Sequence, residues 1–185
     1  MATTKLHTIE DLEQMEGDTP YELIRGVLRE VAPCSMKPSM IGVNISGPFY
    51  VYLRSHSHKV GFLSGADGGF VLSRDPATMV APDVGFIRAE RLPDGVDFTG
   101  FCPFPPDFAV EVMSPSERSR DMAEKIALYQ EAGVPLVWWV KPDKRAVTVY
   151  RAGAQPRDYH DGDELDSEPV LPGFRLAVSE IFELM

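Results

Sequence analysis

Cysteine is scarce: Cys34 and Cys102 alone are too few for a disulfide framework, and neither stands in a spacing that binds zinc. Long hydrophobic runs are missing, with none approaching the roughly 18 residues that a membrane helix needs, so a chain that crosses a membrane by helices is not expected. The opening residues, MATTKLHTIEDLEQMEG, contain acids and no apolar segment of the kind a secretory signal carries. The cytoplasm is the expected compartment. Basic charge is also short: 18 Lys and Arg stand against 28 Asp and Glu, a formal net charge of -10. That argues against avid binding of nucleic acid by bulk positive charge, because Lys and Arg neutralising phosphates supply most of such affinity. It leaves room for a carboxylate-rich catalytic centre served by a local basic groove. Internal repeats are absent, and the glycine cluster Ser64-Gly65-Ala66-Asp67-Gly68-Gly69 lacks the spacing and the Gly-Lys-Ser/Thr ending of a phosphate loop, so it reads as a turn.

What is present suits one globular domain over residues 1–185: a hydrophobic fraction of 44% with 25% charged residues, in a chain long enough to bury a core without staples. Thr8 followed by Asp11 marks a helix start that ends near Gly17. Tyr21–Ile24 and Val27–Val31 read as strands around an Arg25-Gly26 turn. A long helix is expected from Ser39 to about His56, with Ile41, Ile45, Phe49 and Tyr52 on one face and a kink or break at Gly47-Pro48. Short strands follow at Gly61–Leu63, Phe70–Leu72 and Pro82–Ile87. Residues 93–106 form a Pro-, Gly- and Phe-rich loop whose Phe98, Phe101 and Phe104 suit a core plug or a dimer contact. Ala146–Tyr150 alternates as an edge strand, Arg157–Glu168 is a polar loop with at most one strand, and Val178–Leu184 is a final helix. His56 and His58 at i, i+2 could bind metal, but a solvated turn is the preferred reading. The fold class is mixed α/β: a mixed central sheet flanked by helices.

The chemistry concentrates in DFAVEVMSPSERSRDMAEKIALYQEAGVPLVWWV, residues 107–140. This is a buried strand to Met113, a Ser/Pro turn, an amphipathic helix to about Ala132, and a second apolar strand. Glu111 sits inside the strand between Val110 and Val112. Met122, Ile126 and Tyr129 define the apolar face of the helix, and Lys125 falls on that face. Upstream, Asp83 follows Pro82 at the start of an apolar strand. Buried charges are costly unless they are paired, hydrogen-bonded or bound to metal. Asp83 and Glu111 on neighbouring strands are therefore candidate ligands for Mg²⁺, which takes one or two carboxylates together with water and substrate oxygens. Lys125 is the candidate catalytic cation, and Glu22 an additional ligand. The competing reading makes Asp83 a turn cap, Glu111 and Lys125 a structural ion pair, and Glu22 a solvated acid. Asp107 reads as a turn acid, Asp121 as a helix-start acid, and Trp138-Trp139 as core with one exposed face.

The order Glu22, Pro82-Asp83, Glu111-Val112, Ser114-Pro115-Ser116, Asp121, Lys125, Tyr129, Gly133-Val134 and Trp139-Val140 resembles the Uma-type restriction endonuclease family of the PD-(D/E)XK nuclease superfamily. The likeness spans nearly the whole chain and is most specific in EVMSPSERSRDMAEKIALYQEAGV. The resemblance implies a restriction-endonuclease-like core and Mg²⁺- or Mn²⁺-dependent cleavage of DNA. In that reading Asp83 and Glu111 are metal-binding acids, Lys125 is supplied from the following helix, and Glu22 is the extra acid. Two positions depart from the pattern. Met113 stands where the superfamily signature has lysine, and Ser39-Met40 where such proteins often carry a histidine. The alternative is a catalytically inactive binding or assembly protein that keeps the nuclease fold. A homodimer fits either reading.

Overall fold

The structure is a computed structural model, describing residues 5–15, 19–56, 59–115 and 118–183. Helix α1 (Ile9–Glu13) begins with a reciprocal cap: the Asp11 N–H donates to the Thr8 hydroxyl at 3.1 Å, and the Thr8 N–H donates to the Asp11 carboxylate at 2.9 Å. The expected end at Gly17 lies outside the described residues. Strands β1 (Tyr21–Ile24) and β2 (Val27–Glu30) form the anticipated hairpin. Arg25 and Gly26 between them have φ of +50° and +82°, the doubly left-handed turn that matches strand twist and favours glycine.

Helix α2 (Met36–Ser55) starts earlier than expected, and of the kink or break expected at Gly47-Pro48 there is no break. It starts at Met36, three residues before Ser39, because Pro38 falls in the first turn, where its missing N–H has no helical partner to lose. It also runs unbroken through Pro48. The face that must stay together there is fully buried: the Phe49 ring lies 5.3 Å from Phe86, 5.6 Å from Phe108 and 5.0 Å from Phe174. Burying such an aromatic contributes about 1.5–3 kcal/mol, enough to offset one lost helical hydrogen bond.

Strands β3 (Gly61–Ser64), β4 (Phe70–Arg74), β5 (Ala77–Val80) and β6 (Val84–Arg88) follow, and β5 was not foreseen. Next come β7 (Phe108–Val112), α3 (Ser119–Glu131), β8 (Leu136–Lys141), β9 (Ala146–Arg151), β10 (Arg157–His160), β11 (Glu164–Asp166), β12 (Arg175–Ala177) and α4 (Val178–Ile181). The expected tail of α4 at Leu184 lies outside the described residues. A six-stranded sheet has the order β10-β9-β8-β7-β6-β3, and β7 and β8 are its parallel pair. A parallel pair needs a crossover, and α3 provides it. A second sheet of four strands has the order β2-β1-β5-β4, and β11 pairs with β12. Two expectations are corrected here. Strand β9 is interior, because the supposed polar loop after it holds two strands and β10 pairs along its outer side. Only Tyr159 of β10 is buried, too little for a legible alternation.

The larger sheet is covered on both faces. On one, Ile41, Ile45 and Phe49 of α2 pack on Phe86, Phe108, Val110, Leu136 and Trp138. On the other, Ile126, Leu128 and Tyr129 of α3 meet Ala109 and Val137, with Ile24, Leu72 and Val80 from the second sheet. Phe101 and Phe104 are the expected plugs, packed on Leu12 and Met79 and on Phe70 and Ile87 respectively, while Phe98 stays exposed beside Phe62. Among the described residues no helix is long and apolar enough to cross a membrane.

Candidate active site

Strand β7 is buried along its whole length, so alternation sends Val110 and Val112 toward α2 and Glu111 toward α3. Lys125 and Tyr129, one helical turn apart on α3, both meet it. The Lys125 ammonium lies 2.9 Å from Oε1 and 3.0 Å from Oε2 of Glu111, and the Tyr129 hydroxyl donates to Oε1 at 2.6 Å. The same ammonium lies 2.7 Å from Oε1 of Glu22, on β1 of the other sheet, and that oxygen also accepts the Ala81 N–H at 3.0 Å. Asp83 immediately precedes β6, and its Oδ2 accepts the Val112 N–H at 2.7 Å across the antiparallel β6–β7 ladder. All four proposed residues are therefore drawn together. Glu22, which the competing reading left in solvent, is instead part of the cluster.

A cleft of about 720 Å³ opens over these side chains. Its wall holds the acids Glu22, Glu30, Asp67, Asp83, Glu111 and Asp121, and the bases Arg29 and Lys125. Burial pushes the Glu111 carboxyl up to about 8; the nearby ammonium opposes this, while Asp83 and Glu22 add to it. Burial works to lower Lys125, but the carboxylates of Glu111 and Glu22 outweigh it and hold the ammonium above the ordinary lysine value. With its acids ionised the cluster holds three carboxylates to one ammonium, a shortage of positive charge that adds to the rise at Glu111.

Hard carboxylate oxygens facing a cleft with that deficit suit a divalent cation in kind and in charge. As the side chains stand, no three His, Cys, Asp or Glu among the described residues are gathered to enclose a metal ion. Mg²⁺ does not require such a cage, since it keeps several waters and binds one or two protein carboxylates.

Other residues fall out differently. Asp107 is not a turn acid but fully buried, held by Arg88 Nε at 2.9 Å and Arg91 Nη1 at 3.1 Å and accepting the Arg88 N–H at 2.9 Å. Arg88 ends β6 and Arg91 lies just beyond it, where no period marks either as a partner, which is why this pairing escaped notice. Asp121 stands in the first turn of α3, exposed on the cleft wall. Trp138 is fully buried; Trp139 is partly exposed with the Lys141 ammonium 4.4 Å above its ring. His56 packs its ring 4.2 Å from Tyr52, away from the acid cluster, and His58 and Ser116 lie outside the described residues.

A sheet buried on both faces, with acids from two sheets meeting a lysine and a tyrosine from the crossover helix, defines a mixed α/β domain with a candidate catalytic cleft. The family model Uma2, described as "Putative restriction endonuclease", matches residues 8–179, and the chain belongs to that family. Among solved structures it is similar to a protein from Anabaena variabilis described as "a putative nuclease belonging to DUF820". The two share 16% sequence identity over 95% of this chain and 97% of the other, with a TM-score of 0.81, a likeness that establishes the fold. No curated protein matches the chain. The family's description supports a nuclease, and the solved neighbour supports its fold.

Proposed function

We propose that this chain is a single-domain, divalent-metal-dependent endonuclease that hydrolyses phosphodiester bonds in DNA at the Glu22–Asp83–Glu111–Lys125 cleft. The observation that supports this best is Lys125, which reaches from α3 to within 3.0 Å of carboxylates belonging to two different sheets. Asp83 and Glu111 would hold Mg²⁺ or Mn²⁺, with Glu22 as a further or outer ligand. When bound, the metal supplies Lewis-acid polarisation of the phosphate and a more acidic water. Lys125 places a fixed positive charge where negative charge grows on the phosphoryl oxygens, in a site whose neighbours are already oriented. Asp83 is held by the backbone of the strand that carries Glu111, so the two acids move as one unit. The crowd of acids in the cleft repels a bare polyanion, which fits binding that depends on cations. A homodimer in the cytoplasm would allow two such sites to address both strands of a duplex.

The test is cleavage of plasmid and single-stranded DNA with Mg²⁺ or Mn²⁺, beside Asp83→Ala and Lys125→Ala. Metal-dependent nicking by the wild type, lost in both variants while they remain folded, is expected. The acidic cleft and Met113 favour a second reading, an inactive nuclease fold that serves binding or assembly. A wild type that binds no divalent ion and cuts nothing would establish that one instead.

A further inference from the structure

Tyr129 fills a position where phenylalanine would satisfy packing, since it is fully buried within an apolar cluster with Ile126, Leu128 and Val137. A hydroxyl taken that deep is costly unless it is bonded, and this one donates to Oε1 of Glu111 at 2.6 Å, a short bond of the charge-assisted kind. The two oxygens of Glu111 are treated unequally. Oε1 takes Tyr129 and Lys125, whereas Oε2 takes Lys125 at 3.0 Å. A carboxylate oxygen has about two lone-pair sites, so among the described residues Oε1 is filled by the protein and Oε2 keeps acceptor capacity.

We infer that Tyr129 is a positioning residue, fixing the rotamer of Glu111 so that Oε1 is committed to α3 and Oε2 is presented to the cleft. This rests on the proposed metal-dependent reading of the site. Tyr129 touches neither phosphate nor metal; it acts through Glu111, in the way groups behind metal ligands set ligand orientation.

The full-length protein and its Tyr129→Phe variant are titrated with Mn²⁺ by electron paramagnetic resonance, with Ile126→Val as a packing control on the same helix face. Tyr129→Phe is expected to weaken Mn²⁺ binding by about 10–100-fold, the usual effect of removing a group behind a ligand. It lowers kcat with KM for DNA unchanged, and Ile126→Val leaves Mn²⁺ affinity as in the wild type. A second measurement needs no deletion: 3-fluorotyrosine placed at position 129 shows a saturable ¹⁹F shift as Mg²⁺ is added. Wild type that binds and cuts, together with a Tyr129→Phe variant of unchanged Mn²⁺ affinity or a ¹⁹F signal blind to Mg²⁺, overturns this inference and leaves the active-site reading standing. Wild type that binds no Mn²⁺ overturns the active-site reading and this inference with it.

Discussion

Asp107 shows how a single buried charge organises the surface above it. Its carboxylate joins Arg88 and Arg91 to the base of β7, and Arg91 continues to the Pro105 carbonyl at 3.1 Å. The long loop is thereby tied down at its beginning and its end. Asp107→Asn keeps the shape but removes the charge that strengthens these bonds. Because both arginines are about one-third exposed, their charges return to water, and the expected loss is about 1.5–3 kcal/mol, read from urea denaturation. Lys125 was legible beforehand because helical spacing forces a residue between Met122, Ile126 and Tyr129 into the apolar face whatever its charge. Asp107 was not, since its partners stand at and just beyond the end of a strand and the pairing exists only in three dimensions. The role of Tyr129 was hidden for the opposite reason: tyrosine on an apolar stripe is indistinguishable from core until its hydroxyl has a partner.

Among the elements, α2 and β10 carry their own tests. Gly42 lies inside α2, is followed by Val43 rather than a proline, and has no neighbouring element within 4 Å of where a Cβ would stand. Gly42→Ala is expected to stabilise the protein by about 0.5–1 kcal/mol through the lower backbone entropy of alanine, seen as a higher melting temperature. Between β9 and β10, the Thr148 hydroxyl donates to Asp158, and, against the cost of burial, Lys141 adds attraction; together they hold that carboxyl below its ordinary value of 3.8. A carboxyl lowered by folding contributes stability that is whole above 3.8 and lost as pH falls through the folded value. The denaturation midpoint of the wild type is therefore expected to drop below about pH 4, and Asp158→Asn to flatten part of that drop. Elements were readable where a period was long or a turn chemistry specific, as with the Thr8–Asp11 cap, the Arg25-Gly26 hairpin and the strand–helix–strand unit around Glu111. Strand β5 was not, because its four residues follow directly on the Asp75-Pro76 turn and are all buried, which erases alternation. At α2 a fully buried aromatic face keeps the helix continuous across Pro48.

For the whole molecule, the net charge of -10 and the acidic cleft wall define what a substrate meets on approach. With EDTA present, the protein is expected to leave duplex DNA unretarded in a gel at physiological salt. Adding Ca²⁺, which fills carboxylate sites while supporting cleavage poorly, is expected to produce a shifted band if the proposed site is correct. Retention in EDTA would instead place DNA on a surface remote from the cleft.

The hairpin that supplies Glu22 is fastened to α3 by Arg25–Glu131 and Arg29–Glu124, pairs separated by 106 and 95 residues in sequence. Glu111 and Lys125, by contrast, lie 14 residues apart. A chain emerging from the ribosome thus holds its first acid long before the lysine that answers it exists. On the proposed reading, the cutting centre is absent from a nascent chain until Lys125, about two-thirds of the way along, has been made and the hairpin has closed on α3.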